Sequence, residues 1–218
     1  MANLLRQARQ RALQYWVEDG IPDLYTGLLF LVFAGLRLLA QWAEAQRQAT
    51  WMAVGFFGSL VVILVGSLAG RYVIDALKQR VTYPRTGYVA YTPPSKAERR
   101  KQIAVTALLA LVLVGLVLLR PQAPLTLRLV VLHLVFALLV FAIALQLRSP
   151  RYFLYAFVVP LLAAGYLLGW SHWSPTLQRL MTYGEITFLV LGMVMTLGGV
   201  WTLHRYLKAH PDLEEAEA

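Results

Sequence analysis

Apolar residues along this chain form long continuous runs and do not alternate with polar residues. Five runs contain no Asp, Glu, Lys or Arg, namely 51–69, 103–119, 129–147, 152–170 and 186–203. A sixth run, 24–43, contains a single Arg near its far end. A helix needs about 20 apolar residues to cross a bilayer, with about 17 as the lower limit. The pattern therefore predicts an all-α, polytopic membrane bundle of six spanning helices.

The composition agrees with this class. Of 218 residues, 59% are hydrophobic and 14% are charged, whereas soluble domains are about half apolar and about a quarter charged. Six such runs leave too little polar chain to enclose them as buried helices of a soluble bundle. Membrane β-barrel strands alternate between apolar and polar residues, so the continuous runs exclude that architecture as well.

The distribution of Lys and Arg predicts the orientation. Five of the 20 fall on one side of the predicted membrane, namely Arg37, Arg47, Arg120, Arg128 and Arg179, and the rest fall on the other side. Because cytoplasmic loops carry an excess of Lys and Arg, we expect both termini in the cytoplasm. The net charge of +9 is then this inner-side bias, and no nucleic-acid partner is expected.

Three segments follow from the pattern. Residues 1–20 are predicted to form a basic amphipathic helix in the membrane interface, which stops near Gly20 before Pro22 starts the next helix. Residues 21–210 form the six-span domain, and residues 211–218 form an acidic tail. Glycines mark expected helix contacts, within one chain or between copies. Gly66 with Gly70 and Gly165 with Gly169 are four residues apart, and Gly192, Gly198 and Gly199 form a similar patch on the sixth span.

The sizeable loop, residues 71–102, is basic. We predict that the second helix continues from Arg71 to Arg80, with Val73 and Leu77 along one side, and that a β-hairpin follows with its turn at 84–87. Cationic and hydroxyl side chains of this loop are candidates for binding an anionic lipid headgroup or an acidic partner: Arg80, Tyr83, Arg85, Thr86, Tyr88, Lys96, Arg99 and Arg100. The alternative is an ordinary basic loop whose hairpin only caps the bundle.

The sequence Thr-Tyr-Pro-Arg-Thr-Gly-Tyr at 82–88 resembles a stretch in an uncharacterised group of multi-pass membrane proteins of prokaryotes. The resemblance covers seven of the 218 residues. It implies a membrane location, which for such proteins is the prokaryotic plasma (inner) membrane, and carries no activity.

Few residues suggest chemistry. The chain has no cysteine, so a disulfide framework, a thiolate nucleophile and a Cys-ligated metal are excluded, and no catalytic residue, metal or cofactor is predicted. Asp19, Asp23, Arg71 and Asp75 are candidates for a polar cluster, completed by Arg80 or Arg85. Two polar residues lie within or at the start of a span. His133 is expected to bond a neighbouring helix, and Glu185 is expected to pair with Arg37, Arg128 or Arg179.

Three functions remain open. The favoured one is a non-catalytic component that assembles with itself or with another membrane protein and binds lipid or an acidic partner at its inner face. The second is a small permease for an apolar or amphiphilic solute, with a polar cavity lined by residues such as His133, Thr106, Thr187 and Gln146. The third is a phospholipid-headgroup enzyme, which requires Asp75 and its acidic neighbours to converge with Arg85.

Overall fold

A computed structural model of the chain describes residues 14–86, 100, 125–147, 149–169 and 185–211. This part of the chain is all-helical and contains no strand. Several predictions concern residues outside it: the third span at 103–119, the candidates Tyr88, Lys96 and Arg99, most of the amphipathic helix and the acidic tail. The bundle of six spans therefore stays a prediction.

Five long helices make up the described part: α1 (Ile21–Ala45), α2 (Ala49–Val81), α3 (Leu125–Leu147), α4 (Pro150–Gly169) and α5 (Glu185–Ala209). A four-residue helical turn, Tyr83–Thr86, follows α2, and residues 14–18 are helical as well. Three helices, α1, α2 and α5, are long and apolar enough to cross a membrane. The apolar stretches described in α3 and α4 are shorter, at His133–Leu145 and Pro150–Gly165.

The surface of α2 supports the membrane assignment. Large apolar side chains there are exposed, with Phe57 at 63%, Leu64 at 63% and Leu68 at 69% of their full accessible area. Soluble monomers rarely leave so extensive an apolar surface in water, whereas lipid chains solvate it. The exposed face of α2 is therefore the face expected of a membrane helix.

The central helix is α1, which packs against both α2 and α5, while α3 packs against α4 and α4 touches α5. Helix α1 runs antiparallel to both α2 and α5. The start of α1 lies beside the end of α2, where Asp19 meets Lys78, and Arg37 meets Glu185 at the start of α5. We refer to these two ends of the bundle as the Lys78 end and the Glu185 end.

Glycine allows α1 and α5 to approach closely. A Cβ atom on Gly27 would lie 2.5 Å from the backbone nitrogen of Thr196, and one on Gly199 would lie 2.5 Å from that of Leu24. The expected contact at Gly199 is therefore confirmed. Gly66 and Gly70 face Leu29 and Tyr25 of α1, as expected. No described atom lies within 4 Å of a Cβ on Gly165, so the described residues do not show the contact expected there.

The chain turns into α1 as the sequence predicts. Gly20 has a φ of 76°, which favours glycine because it has no Cβ, and its amide donates to the carbonyl of Val17 at 3.2 Å. Pro22 then lies in the first turn of α1, and Asp23 follows at its positive end. This short break turns the N-terminal segment towards the end of α2.

The region after α2 differs from the prediction. The helix continues to Val81 as expected, but Tyr83–Thr86 is a helical turn, so the predicted β-hairpin is wrong for these residues. The amides of Arg85 and Thr86 both donate to the carbonyl of Thr82 at 3.2 Å, and this bonding replaces the expected strand. The side of α2 with Val73 and Leu77 is exposed; the buried stripe contains Gly70, Ile74 and Lys78.

Candidate functional site

A buried ion pair joins the N-terminal segment to α2 at the Lys78 end. The Nζ atom of Lys78 lies 2.5 Å from Oδ2 of Asp19, and both side chains are 1% exposed. The hydroxyl of Thr82 donates to the same oxygen at 2.9 Å, and the amide of Ile21 donates to Oδ1 at 3.1 Å. Burial of a charge is costly unless it is paired and hydrogen-bonded. Here Asp19 neutralises Lys78 and also bonds the first turn of α1.

A second buried carboxylate, Asp23, joins α1 to α4. The hydroxyl of Tyr152 donates to Oδ1 at 2.5 Å, and that of Tyr155 lies 3.4 Å from Oδ2. The Nε atom of Arg151 forms an ion pair with Oδ2 at 3.0 Å. Tyr152 and Tyr155 are three residues apart and therefore share one face of a helix. The charge of Asp23 is thus balanced by Arg151 within the bundle.

A chain of hydroxyl groups holds the turn after α2 against α5. The Oγ1 atom of Thr86 lies 2.6 Å from the hydroxyl of Tyr15 and 2.7 Å from that of Tyr206. Next to it, Arg85 donates from a guanidinium nitrogen to the carbonyl of His210 at 3.2 Å. Arg85 and Thr86 thus bind the protein itself, whereas the sequence suggested a binding surface for an anion.

The predicted polar cluster is only partly assembled. Asp19 and Asp23 lie at the same end, but their ion pairs are with Lys78 and Arg151 rather than with Arg71, Arg80 or Arg85. Arg71 pairs instead with Asp75 one turn along α2, at 3.7 Å. Arg80 and Arg100 are exposed. The convergence of Asp75 and its acidic neighbours on Arg85 is therefore not found in the described contacts.

Beside the Lys78–Asp19 pair, a cavity of about 820 Å³ lies between α1, α2 and the N-terminal segment. Its volume falls within the range of about 300–1,000 Å³ that is usual for ligand pockets. Tyr15 and Trp16 of the N-terminal segment line the cavity, and so does Lys78. The polar lining at one end includes Tyr15, Arg71, Asp75, Lys78, Gln79 and Tyr83.

The lining of this cavity changes from polar to apolar along α2. The polar part runs from Arg71 to Gln79, and the apolar part includes Ile63 on α2 with Leu29 and Phe30 on α1. With a rise of 1.5 Å per residue, the lining from Ile63 to Gln79 is about 24 Å long. One leaflet contributes about half of the ~30 Å hydrocarbon core of a bilayer. The cavity therefore has the length of a leaflet and its headgroup layer.

The Glu185 end carries two polar contacts between helices. Glu185 is buried and accepts a hydrogen bond from Nε of Arg37 at 3.2 Å, which confirms one of its predicted partners. The Nε2 atom of His133 lies 2.7 Å from the hydroxyl of Thr187, so His133 bonds a neighbouring helix as expected. Both contacts join helices, and no described observation favours a permease cavity around His133.

Sequence reasoning missed Lys78, Arg151 and Tyr152. Lys78 was counted only as one of the charges that set orientation, although it follows Gly70 and Ile74 at four-residue spacing and so belongs to their stripe. Arg151 and Tyr152 follow Ser149-Pro150, a sequence typical of a helix start, but nothing local to them shows that Asp23 lies opposite. This partner is 129 residues away from Tyr152.

Among the described residues, no group of three His, Cys, Asp or Glu side chains is arranged to hold a metal ion. Comparison of the chain with protein-family models, curated proteins and solved structures found no match. The geometry of the Lys78 end is therefore the basis on which a function is proposed.

Proposed function

We propose that this chain is a non-catalytic membrane component, with six spans and both termini in the cytoplasm of a prokaryotic cell, whose Lys78 end binds the headgroups of anionic lipids. The observation that carries the proposal is the amphipathic cavity between α1 and α2, with basic side chains at one end of its lining and apolar ones at the other. The resemblance of residues 82–88 to multi-pass membrane proteins of prokaryotes is in keeping with this location.

The charges around the cavity support an anionic ligand. Arg71 is 73% exposed, and its ion pair with Asp75 at 3.7 Å is long. Exposed pairs of this kind contribute only about 0–1 kcal/mol, so the guanidinium can readily exchange Asp75 for a phosphate. It can bind a phosphate bidentately. Arg80 is also exposed and lies about two and a half turns nearer the end of α2. The basic residues Lys96, Arg99, Arg100 and Lys101 follow in the same loop of the sequence.

The buried polar groups support a binding role without catalysis. Asp19 and Asp23 are both engaged by cations and hydroxyl groups of the bundle, so their carboxylates stabilise the fold. An acid–base role requires a carboxylate within reach of a substrate. The carboxylate that lines the cavity is Asp75, which is paired with Arg71. We therefore favour binding over the headgroup-enzyme alternative.

Native mass spectrometry of the purified protein tests the proposal. Phosphatidylglycerol is titrated against phosphatidylcholine, and the expected result is preferential retention of the anionic lipid. Replacing Arg71 and Arg80 together by Gln should weaken that preference about 30-fold, because each charge near an anionic surface contributes about 1 kcal/mol. The matched pair is Arg71→Gln, with an expected loss of about fivefold, and Arg47→Gln, which removes the same single charge at the Glu185 end, where Arg47 is exposed.

Two results would contradict the proposal. One is equal retention of the anionic and the zwitterionic lipid by the unchanged protein. The other is an equal loss of preference in Arg47→Gln and in Arg71→Gln, since this would show that the effect depends on total charge and not on the Lys78 end.

A further inference from the structure

The cavity between α1 and α2 has the features of a defined site for one lipid molecule, beyond a general attraction of anionic headgroups. We propose that it holds a single anionic phospholipid from the leaflet at the Lys78 end, with the phosphate at Arg71 and one acyl chain along Leu29, Phe30 and Ile63. This inference rests on the proposed function, because it assigns a particular site to the same class of ligand.

Shape is the first argument for a single lipid. The part of α2 that lines the cavity changes from apolar at Ile63 to polar from Arg71 onwards. Both parts lie on one continuous helix. From Ile63 to Gly70 the helix rises about 10 Å, and from Arg71 to Gln79 it rises about 12 Å. An amphiphile lying parallel to α2 would place its chain beside the first part and its headgroup beside the second.

The second argument is the chemistry of the polar part. Arg71 lines the cavity and is 73% exposed, so its guanidinium can bind two phosphate oxygens. Lys78 also lines the cavity, but it is 1% exposed and its ammonium pairs with Asp19, so the phosphate contact is assigned to Arg71. Asp75 is positioned to accept a hydrogen bond from a headgroup hydroxyl, which phosphatidylglycerol provides beside its phosphate.

The aromatic wall is the third argument. Trp16 lines the cavity, and Nζ of Lys78 lies 5.0 Å from the centre of one of its rings. Tyr15 lines the cavity next to it. Tyr and Trp side chains are enriched at the headgroup level of membranes, where one end of the ring is apolar and the other is solvated. This wall therefore lies at the depth expected for the phosphate.

Filling the apolar part of the cavity tests the site. Ser67 lines it, and Ser67→Trp places a large side chain in the path of the acyl chain; Ile63→Trp does the same deeper in the cavity. The control is Leu68→Trp, because Leu68 is 69% exposed on the same helix and does not line the cavity. Native mass spectrometry then measures the successive binding of phosphatidylglycerol molecules to each variant.

We expect the unchanged protein and Leu68→Trp to bind one phosphatidylglycerol more tightly than all later ones. Ser67→Trp and Ile63→Trp should lose this first step while keeping the weaker, salt-sensitive binding that depends on Arg71 and Arg80. Inorganic phosphate in large excess should not displace the first lipid, since it lacks the acyl chain.

Retention of the tight step in both Trp variants would overturn the single-lipid site and leave the proposed function in place. Displacement by inorganic phosphate would also overturn it, because the ligand would then be recognised by its phosphate alone. If the unchanged protein shows no preference for phosphatidylglycerol over phosphatidylcholine, the proposed function and this inference are both overturned.

Discussion

Lys78→Met should destabilise the protein substantially, because it leaves the carboxylate of Asp19 buried without its cation. Both side chains are 1% exposed, and removal of one partner of a buried ion pair costs about 3–5 kcal/mol. Asp19 keeps hydrogen bonds from Thr82 and from the amide of Ile21, so the lower value, about 3 kcal/mol, is expected. For a chain of this length about 1 kcal/mol shifts Tm by about 2–4 °C, which gives a decrease of about 6–12 °C.

Thermal unfolding in detergent, followed by tryptophan fluorescence, measures this effect in a double-mutant cycle. Lys78→Met, Asp19→Asn and the double variant are compared, and the double variant should lose less than the sum of the single losses because the two residues interact. Lys208→Met is the control, since Lys208 is exposed near the same end of the bundle. Additive losses, or a Tm for Lys78→Met equal to that of the control, would refute the reasoning.

Three further substitutions have defined outcomes in the same unfolding assay. Gly27→Ala should lower stability by about 1–3 kcal/mol because its Cβ overlaps the backbone of α5. Gly35→Ala meets open space and should be neutral or stabilising by up to about 1 kcal/mol. Equal effects of the two substitutions would contradict the packing of α1 on α5. Thr86→Val breaks the hydroxyl chain between Tyr15 and Tyr206 and should cost about 1–3 kcal/mol, and an unchanged Tm would show that this chain does not stabilise the turn. Tyr152→Phe should cost a similar amount by removing a hydrogen bond to a buried carboxylate, and a gain in stability would contradict that role.

The fold was predictable where a local pattern determines it. The break at Gly20, the start of α1 at Ile21 and the extension of α2 to Val81 all follow from residue types close in sequence. The turn at Tyr83–Thr86 was not predictable in this way. Its Pro-Arg-Thr-Gly sequence suits a hairpin, but hydrogen bonds from Thr86 to Tyr15 and Tyr206, which are distant in sequence, accompany the helical turn.

The candidate site was predictable only in its acidic half. Asp19 and Asp23 attract attention because acidic residues beside a span are rare, and both are buried in the structure. Lys78, the partner of Asp19, is 59 residues away in sequence. Arg151, the partner of Asp23, lies on α4. No local spacing selects these two among 20 Lys and Arg. The cavity depends on how α1 and α2 diverge, which hydrophobic periodicity does not specify.

Site-specific labelling in intact cells tests most directly the claim that the bundle crosses the membrane with the Lys78 end inside. The chain contains no cysteine, so single cysteines can be introduced as Arg80→Cys, Gln46→Cys and Gln122→Cys without a background signal. A membrane-impermeant maleimide should label positions 46 and 122 in sealed cells and should label position 80 only after the cells are opened. Labelling of position 80 in sealed cells, together with protection of position 46, would contradict the orientation and the account of lipid binding that depends on it.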